Sequence, residues 1–305
     1  MPDAPLHVVT GALGYTGRYI TRRLLERGVR VKTLTGHPDR PNPFGDQVAV
    51  AGYDFDRPDR LAASVAGAEV LYNTYWIRFA RGQSTFEQAV ENSRTLVRAA
   101  ESAGVRRVVH VSIANPSLDS RLPYYRGKAL VEESVRGSKL SYAILRPTVI
   151  FGREDILINN IAWLLRRFPA FGIPGRGDYK LQPIFVEDMA RLAVDLAEKG
   201  ENVVVDAVGP EVFTFKDLVR LIARTIGSRA LLVHLPPRLA LVFSRLVGFW
   251  VGDVVLTRDE VAGLMANLLV SRSEPTGRTR LSEWLAANAE SVGADYASEL
   301  ARHFR

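Results

Sequence analysis

Leu6-His7-Val8-Val9-Thr10 is a short β-rich run that leads straight into Gly11-Ala12-Leu13-Gly14-Tyr15-Thr16-Gly17. After it, Thr16–Arg27 sets Tyr19, Ile20, Arg23, Leu24 and Leu25 at helical spacing. Each glycine has a separate physical task in such a strand-to-helix turn. One lets the chain turn sharply, one lets backbone amides approach a pyrophosphate, and one packs helix against strand. The helix N-terminus then supplies N–H groups and partial positive charge. A glycine triplet alone is weak, because tight turns favour glycine anyway. Its place after the first strand of a βαβ unit is the context that a dinucleotide site requires.

The segments outward from this turn alternate. Val29–Thr35 and Gln47–Ala51 read as extended, Pro58–Ala66 as helix and Glu69–Thr74 as an apolar strand. Ser84–Ala103 is a long helix, Val105–Ile113 a strand, Leu122–Arg136 a helix and Leu140–Pro147 a strand. Strands alternating with helices imply right-handed crossovers and a parallel sheet. The expected class is α/β: a Rossmann-type doubly wound parallel sheet with a smaller, mainly helical carboxyl-terminal cap. Residues 1–151 are expected to form the dinucleotide-binding domain. Residues 152–305 are expected to be mostly cap, with about 181–208 (helix Val186–Glu198, strand Asn202–Asp206) returning to the sheet. In that half Asp155–Arg167 reads as helix, Phe168–Gly177 as a Pro/Gly-rich loop and the remainder as mainly helical.

Composition narrows the function classes. The chain of 305 residues has no cysteine, which excludes disulfides, thiolate zinc sites and thiol nucleophiles and fits a cytoplasmic setting. The longest stretch without Asp, Glu, Lys or Arg, residues 4–17, is too short to span a bilayer. Met1-Pro2-Asp3 puts no basic segment before an apolar one, so no leader is expected. The net charge is +7, but bases and acids interleave, and no nucleic-acid partner is expected. The five histidines show no metal-ligand spacing, so no metal is expected.

Further segments, in order, resemble the extended and atypical short-chain dehydrogenase/reductases, which are epimerase/dehydratase-like. These are the Gly-x-x-Gly-x-x-Gly spacing, Asp54-Phe55 after the third strand, Asn73 and Thr74 ending the fourth, and Ser112 near the end of the fifth. Tyr124-x-x-x-Lys128, Leu145-Arg146-Pro147-Thr148 with Phe151-Gly152, and Gln182-Pro183-Ile184-x-Val186-x-Asp188 continue the match. Gly14-Tyr15-Thr16-Gly17-Arg18, His110-Val111-Ser112, Tyr124-Tyr125-Arg126-Gly127-Lys128 and Phe151-Gly152-Arg153-Glu154-Asp155 look like one atypical branch. It contains the nucleotide-binding accessory subunit of mitochondrial complex I, with NmrA-like proteins more distant. The resemblance implies a cofactor site of Gly11, Gly14, Tyr15, Thr16, Gly17, Arg18, His37, Arg40, Asp54, Phe55, Asn73, Thr74, Ser112, Lys128, Pro147, Thr148 and Ile150. Some members of this branch catalyse and others only hold a nucleotide.

Charge bears on which nucleotide. The second strand ends Leu34-Thr35-Gly36-His37-Pro38-Asp39-Arg40, with no acid at its tip to grip both ribose hydroxyls. Arg18, His37 and Arg40 suit a 2′-phosphate, because the arginine fork matches phosphate geometry. NADP(H) is therefore expected. Asp39 reaching toward the ribose keeps NAD as the alternative.

Tyr124 and Lys128, four apart on one helix, share a face. In the resembled family such a pair exchanges the substrate proton, the ammonium favouring phenolate and holding the nicotinamide ribose. By spacing alone the pair reads as a core tyrosine and a snorkelling lysine; its position where the family places such a pair is what turns the reading toward a site. If Ser112 takes the strand-end position, the family's catalytic hydroxyl falls near Ala114, with Asn115 or Ser117 as substitutes. Glu154 and Asp155 read either as cleft residues or as acids at a helix N-terminus. The expected function is an NADP(H)-binding oxidoreductase acting on a small or apolar carbonyl, alcohol or sugar-nucleotide-like substrate. The alternative is a non-catalytic nucleotide-binding module, structural or redox-sensing, docking to a membrane-associated complex.

Leu239–Val255 is strongly apolar, with Arg238 and Arg245 punctuating it and Asp253 near its end. One reading is a cap helix packed in the core or over a hydrophobic substrate. The other is a peripheral contact with a membrane or protein complex, with the arginines facing anionic lipid.

Overall fold

The computed structural model describes residues 4–303, so Met1-Pro2-Asp3 lies outside the described residues. The chain divides into two compact units, 1–147 with 186–207, and 148–185 with 208–305.

The first unit begins with β1 (Leu6–Thr10), α1 (Tyr15–Glu26), β2 (Arg30–Thr35), β3 (Val48–Gly52), α2 (Pro58–Val65) and β4 (Ala68–Asn73). It continues through α3 (Phe86–Ser102), β5 (Arg107–Val111), α4 (Pro123–Arg136) and β6 (Ser141–Pro147). After an excursion into the second unit, the chain returns as α6 (Val186–Glu198) and β11 (Val203–Ala207). The strands form one seven-stranded sheet in the order β11-β6-β5-β4-β1-β2-β3, every pairing parallel. This is the doubly wound order, reversing between β1 and β4, where such sheets bind ligands at the carboxyl ends of their strands.

Burial explains the alternation. Val8, Leu71, Val108 and Ile144 are fully buried and pack with Leu61, Leu96, Val97 and Val131 from α2, α3 and α4. The opposite side of β5 carries Arg107, fully buried despite its charge. Its Nε donates to the Leu196 carbonyl (3.1 Å) and its Nη2 to the Glu201 carbonyl (2.8 Å), tying the returning segment to the sheet.

The second unit contains β7 (Ile150–Phe151), α5 (Leu157–Arg167), β8 (Ala170–Pro174), β9 (Lys180–Leu181) and β10 (Ile184–Phe185). Then come β12 (Phe213–Thr214), α7 (Phe215–Thr225), β13 (Leu231–Leu235), α8 (Pro237–Val251), α9 (Arg258–Met265), α10 (Leu281–Ala287) and α11 (Glu299–His303). It has its own core around Phe151, Ile158, Leu181, Leu218, Ile222 and Leu285.

Two expectations for this half need correction. The segment 168–177 is not all loop: Ala170–Pro174 is a strand paired in parallel with β13. Its glycine serves that pairing, since a Cβ on Gly172 would lie 2.7 Å from the Leu235 side chain. The remainder is correspondingly less helical than its composition suggests. Nor is Asp155 a cleft acid, for it is buried. Its carboxylate accepts from the Ile158 amide (2.7 Å) and from the Asn159 side chain (3.0 Å), so the helix-terminus reading holds for it.

Candidate cofactor site at the strand ends

The glycine turn is built by close backbone approach. Gly11 has φ +68°, a left-handed conformation that favours glycine, and its carbonyl accepts from the Gly14 amide at 2.9 Å. A Cβ on Gly17 would lie 2.3 Å from the Gly11 carbonyl oxygen, so the third glycine is the one that lets α1 pack on the turn. A Cβ on Gly14 would lie 3.2 Å from the same oxygen, a far milder contact. The N-cap of α1 is Gly14, with no side-chain cap and no acid in the first turn. A helix end without its own acid leaves its N–H groups and dipole for an anion. Tyr15 and Thr16 are half-buried at that end, Tyr15 edge-on to Tyr19 at 5.8 Å.

Thr10 joins the turn to the next strand. Its hydroxyl accepts from the Thr74 amide at 2.7 Å, while the Thr74 hydroxyl donates to the Thr10 carbonyl. Asn73 is fully buried and its side-chain Oδ1 accepts from the Tyr75 amide at 3.1 Å, yet its Nδ2 has no hydrogen-bond partner among the described residues. The buried Ser112 hydroxyl is likewise without one. Asn73 stands in register with His110, two residues before Ser112, so both lie at the carboxyl ends of adjacent strands. A buried polar atom without a partner costs on the order of 1–3 kcal/mol, and such a cost is tolerated where a ligand repays it.

α4 carries Tyr124 and Lys128. The lysine is only 3% exposed, and its Nζ donates to the Val111 carbonyl at 2.8 Å. The same ammonium lies 4.7 Å from the centre of the Trp76 ring. Burial pushes its pKa down to about 7, with Glu132, one turn along α4, opposing the shift. Glu132 is itself held by Arg146 from β6, Nε to Oε1 at 2.9 Å and Nη2 to Oε2 at 2.5 Å. His110, fully buried, is driven well below the ordinary imidazole range by burial and then by the Lys128 charge. Burial thus holds the Lys128 amine far below the ordinary lysine range, so its charge is easily lost beside the phenol. Tyr124 is half-buried, edge-on to Trp76 (5.9 Å) and Phe86 (6.0 Å). A Cβ on Gly127 would strike Trp76 at 2.8 Å, which gives that glycine its reason.

On the other side of the turn, Tyr53, Phe55 and Tyr75 form an aromatic cluster with centroids 4.9–5.2 Å apart. Asp54, beside it, pairs with Arg57 at 2.9 Å. At the tip of β2, Asp39 is exposed and Arg40 half-buried, and burial lowers the Arg40 pKa. Arg18 folds back on the turn, its Nη2 donating to the Leu13 carbonyl at 3.2 Å, and His37 is half-buried with its amide donating to Thr35 Oγ1. The Pro147 carbonyl accepts from the Ala114 amide at 2.8 Å. Thr148 and Ile150 belong to the second unit, where the Thr148 hydroxyl donates to the Gln182 carbonyl and Ile150 pairs with Ile184. Trp76, Tyr53 and Tyr75 are absent from the sequence-derived set. The only sequence signal for Tyr75 and Trp76 is their place directly after the Asn73-Thr74 strand end.

Residues 11–156 match the family described as NAD(P)H-binding. The chain carries an NAD(P)H-binding domain. Among curated proteins it is 28% identical over 282 residues to the mitochondrial NADH dehydrogenase [ubiquinone] 1 alpha subcomplex subunit 9 of Arabidopsis thaliana, covering 86% of this chain and 70% of that one. It is also 28% identical over 249 residues to the ceramide reductase of Caulobacter vibrioides, covering 79% and 77%. In fold it resembles the triphenylmethane reductase of Citrobacter sp., solved with NADP(H), at a TM-score of 0.71 and 18% identity over 93% and 99% of the two chains. The seven-stranded parallel sheet with its flanking helices is thus a Rossmann-like fold. The unpartnered Asn73 and Ser112 atoms, the glycine turn and the acid-free helix end fit such a cofactor.

Proposed function

We propose that the chain is an NADP(H)-dependent oxidoreductase acting on a small or apolar carbonyl, alcohol or sugar-nucleotide-like substrate, with Tyr124 and Lys128 at its chemistry. One observation carries the reading. Lys128 is an amine buried at the end of β5, poised near neutrality, one helical turn from a half-buried phenol in an aromatic wall. Structural lysines are rarely buried without a carboxylate bound to the amine.

NADP(H) would be held by Gly11, Gly14, Gly17, Tyr15, Thr16, Arg18, His37, Arg40, Asp54, Phe55, Asn73, Thr74, Ser112, Lys128 and Pro147, and supplies hydride when bound. Tyr124 passes the proton to or from the substrate oxygen. Lys128 lowers the cost of the phenolate whenever its amine is protonated, and Trp76 with Phe86 keeps water from the ring. Arg18 and the half-buried Arg40 favour a 2′-phosphate, while the exposed Asp39 at the same tip keeps NAD as the alternative. The names of a ceramide reductase and of a triphenylmethane reductase solved with NADP(H) support a reductase.

A specific observation favours a second reading, a nucleotide-holding module without turnover. With Ser112 at the strand-end position, the resembled family's hydroxyl falls near Ala114, which is fully buried and carries none. The relative named as an NADH dehydrogenase subunit supports this reading, together with a peripheral contact to a membrane or protein complex through 239–255. A cytoplasmic setting at a surface belongs to either reading.

The test is turnover of NADPH and NADH with a carbonyl panel, alongside calorimetry of both nucleotides. Tyr124→Phe should leave nucleotide affinity nearly intact and cut turnover by about 10²–10⁴-fold, the usual contribution of a general acid–base group. Wild-type turnover in a folded Tyr124→Phe variant would overturn the assignment, and equal affinity for the two nucleotides would overturn the NADP(H) preference.

A further inference from the structure

The outer face of α8 is built against the usual rule. The helix is 15 residues long, and its exposed positions include Leu239, Val242, Phe243, Leu246, Phe249 and Trp250. These recur at steps of three and four, so they form one continuous stripe along the axis. Phe249 is 92% exposed and Trp250 66%. The fully buried positions are small, Ala240 and Gly248, with half-buried Ser244 between them and half-buried Leu241, Val247 and Val251 beside them. A core helix would have the opposite arrangement. The exposed side chains Leu231 and Val233 of β13 continue the apolar surface just before the helix begins.

The helix is also fastened at its carboxyl end. Gly252, left-handed at φ 64°, ends the helix, and the Asp253 amide donates back to the Gly248 carbonyl at 2.9 Å. The buried Asp253 carboxylate accepts from the Glu299 and Leu300 amides at 2.8 and 3.1 Å, fastening this end to α11. Trp250 keeps one edge on Trp163 (5.8 Å) and Phe168 (6.0 Å), and Arg167 lies over the Trp163 ring at 4.6 Å.

Resting on the reading of 239–255 as a contact surface, we infer that its partner is an anionic lipid bilayer, into whose interface α8 sinks lying flat. Charge selects this occupant. α8 carries no acid; its charges are Arg238 and Arg245, both exposed, and Arg167 borders its aromatic end. Against a second copy of this chain those arginines would confront like charge across an apolar contact. Against anionic headgroups they are matched, while the phenylalanine and tryptophan occupy the boundary with the acyl chains. Length excludes the spanning alternative: the helix is about 22 Å long, short of the roughly 30 Å hydrocarbon layer. No helix among the described residues is long and apolar enough to cross a membrane.

The experiment is sedimentation of the full chain with phosphatidylcholine vesicles, with and without a phosphatidylglycerol fraction. Thermal melting certifies that each variant is folded, and light scattering follows self-association. The chain should bind the phosphatidylglycerol vesicles. The double variant Phe249→Ser with Trp250→Ser should weaken binding on the order of tenfold or more. Arg238→Gln with Arg245→Gln should weaken binding to the anionic vesicles by about fivefold per arginine. Quenching of tryptophan fluorescence by brominated lipid should fall markedly in Trp250→Phe. Three outcomes would overturn the inference: no sedimentation above the vesicle-free blank, equal binding by the folded variants, or a concentration-dependent dimer that Leu246→Asp abolishes. The dimer would leave 239–255 a contact surface and remove only the lipid, and none of these readings depends on turnover or on a nucleotide.

Discussion

At the carboxyl ends of β4 and β5 the chain buries polar atoms that it does not pair; along α8 it exposes apolar side chains that other helices of the same unit bury. Among the described residues the buried Asn73 Nδ2 and Ser112 hydroxyl have no hydrogen-bond partner and Lys128 keeps a buried amine, while Phe249 and Trp250 are largely exposed. Neither departure stabilises the isolated fold. Sequences agree with their fold at most positions and depart from it where function requires. The contrast therefore separates two kinds of site: an interior arranged for a small polar ligand, and a surface arranged for an extended apolar one.

The strand-end site can be probed through stability. Because burial holds the Lys128 pKa near 7, below its unfolded value of about 10.4, the unfolded chain binds a proton that the folded one lacks between those limits. Stability should therefore rise with pH from about 7 to about 10, by on the order of 3 kcal/mol, and be flat in this respect below 7. Denaturant unfolding across that range, with Lys128→Met alongside, reads the effect. The variant should lack this rise. An identical pH slope in both proteins would mean that Lys128 is not desolvated, and the contrast with α8 would lose its interior half.

The glycine turn sharpens the same comparison by separating packing from ligand approach. Gly17→Val drives a Cβ into backbone and should cost roughly 1–3 kcal/mol or more. Gly14→Val meets only a 3.2 Å contact, so it should cost less stability yet abolish nucleotide binding measured by calorimetry. If both variants lost stability equally and Gly14→Val still bound nucleotide, the turn would be structural throughout.

Much of the first unit was legible in the sequence because its signals are local. The run Leu6–Thr10, the glycines after it and the helical spacing after those lie within one βα unit, and the remaining segments repeat the alternation. What was not legible depends on partners distant in the chain. β8 looks like a loop because its Phe171 and Ile173 acquire a strand's burial only when β13 pairs with it. Trp76 gains meaning only when α4 brings Lys128 beneath its ring. Tyr124 and Lys128 could be placed on one face from spacing, but the depth of the lysine could not, since a snorkelling lysine has the same spacing. For α8 the sequence offered an apolar helix with no indication of which side the fold would cover. Ala240, Ser244 and Gly248 on one stripe hold the answer in retrospect, for small residues mark the side where a backbone packs closely.

The smallest expected effect is the one that tests the surface half of the contrast. Phe249 and Phe151 are the same side chain in the same unit, one 92% exposed and the other fully buried among Phe185 and Trp284. Phe151→Ala removes core atoms and leaves a cavity, which should cost about 3–5 kcal/mol. Phe249→Ser removes no intramolecular burial of consequence, so unfolding should change by no more than about 0.5 kcal/mol. The two substitutions belong in one denaturant series, with the slope of each transition checking that the unfolded states are comparable. A loss at Phe249 approaching that at Phe151 would mean that the ring is covered in the folded chain in solution, by self-association or by a rearranged helix. A negligible loss leaves an aromatic side chain that folding does not use, on a helix whose inner side is already closed by Ala240 and Gly248.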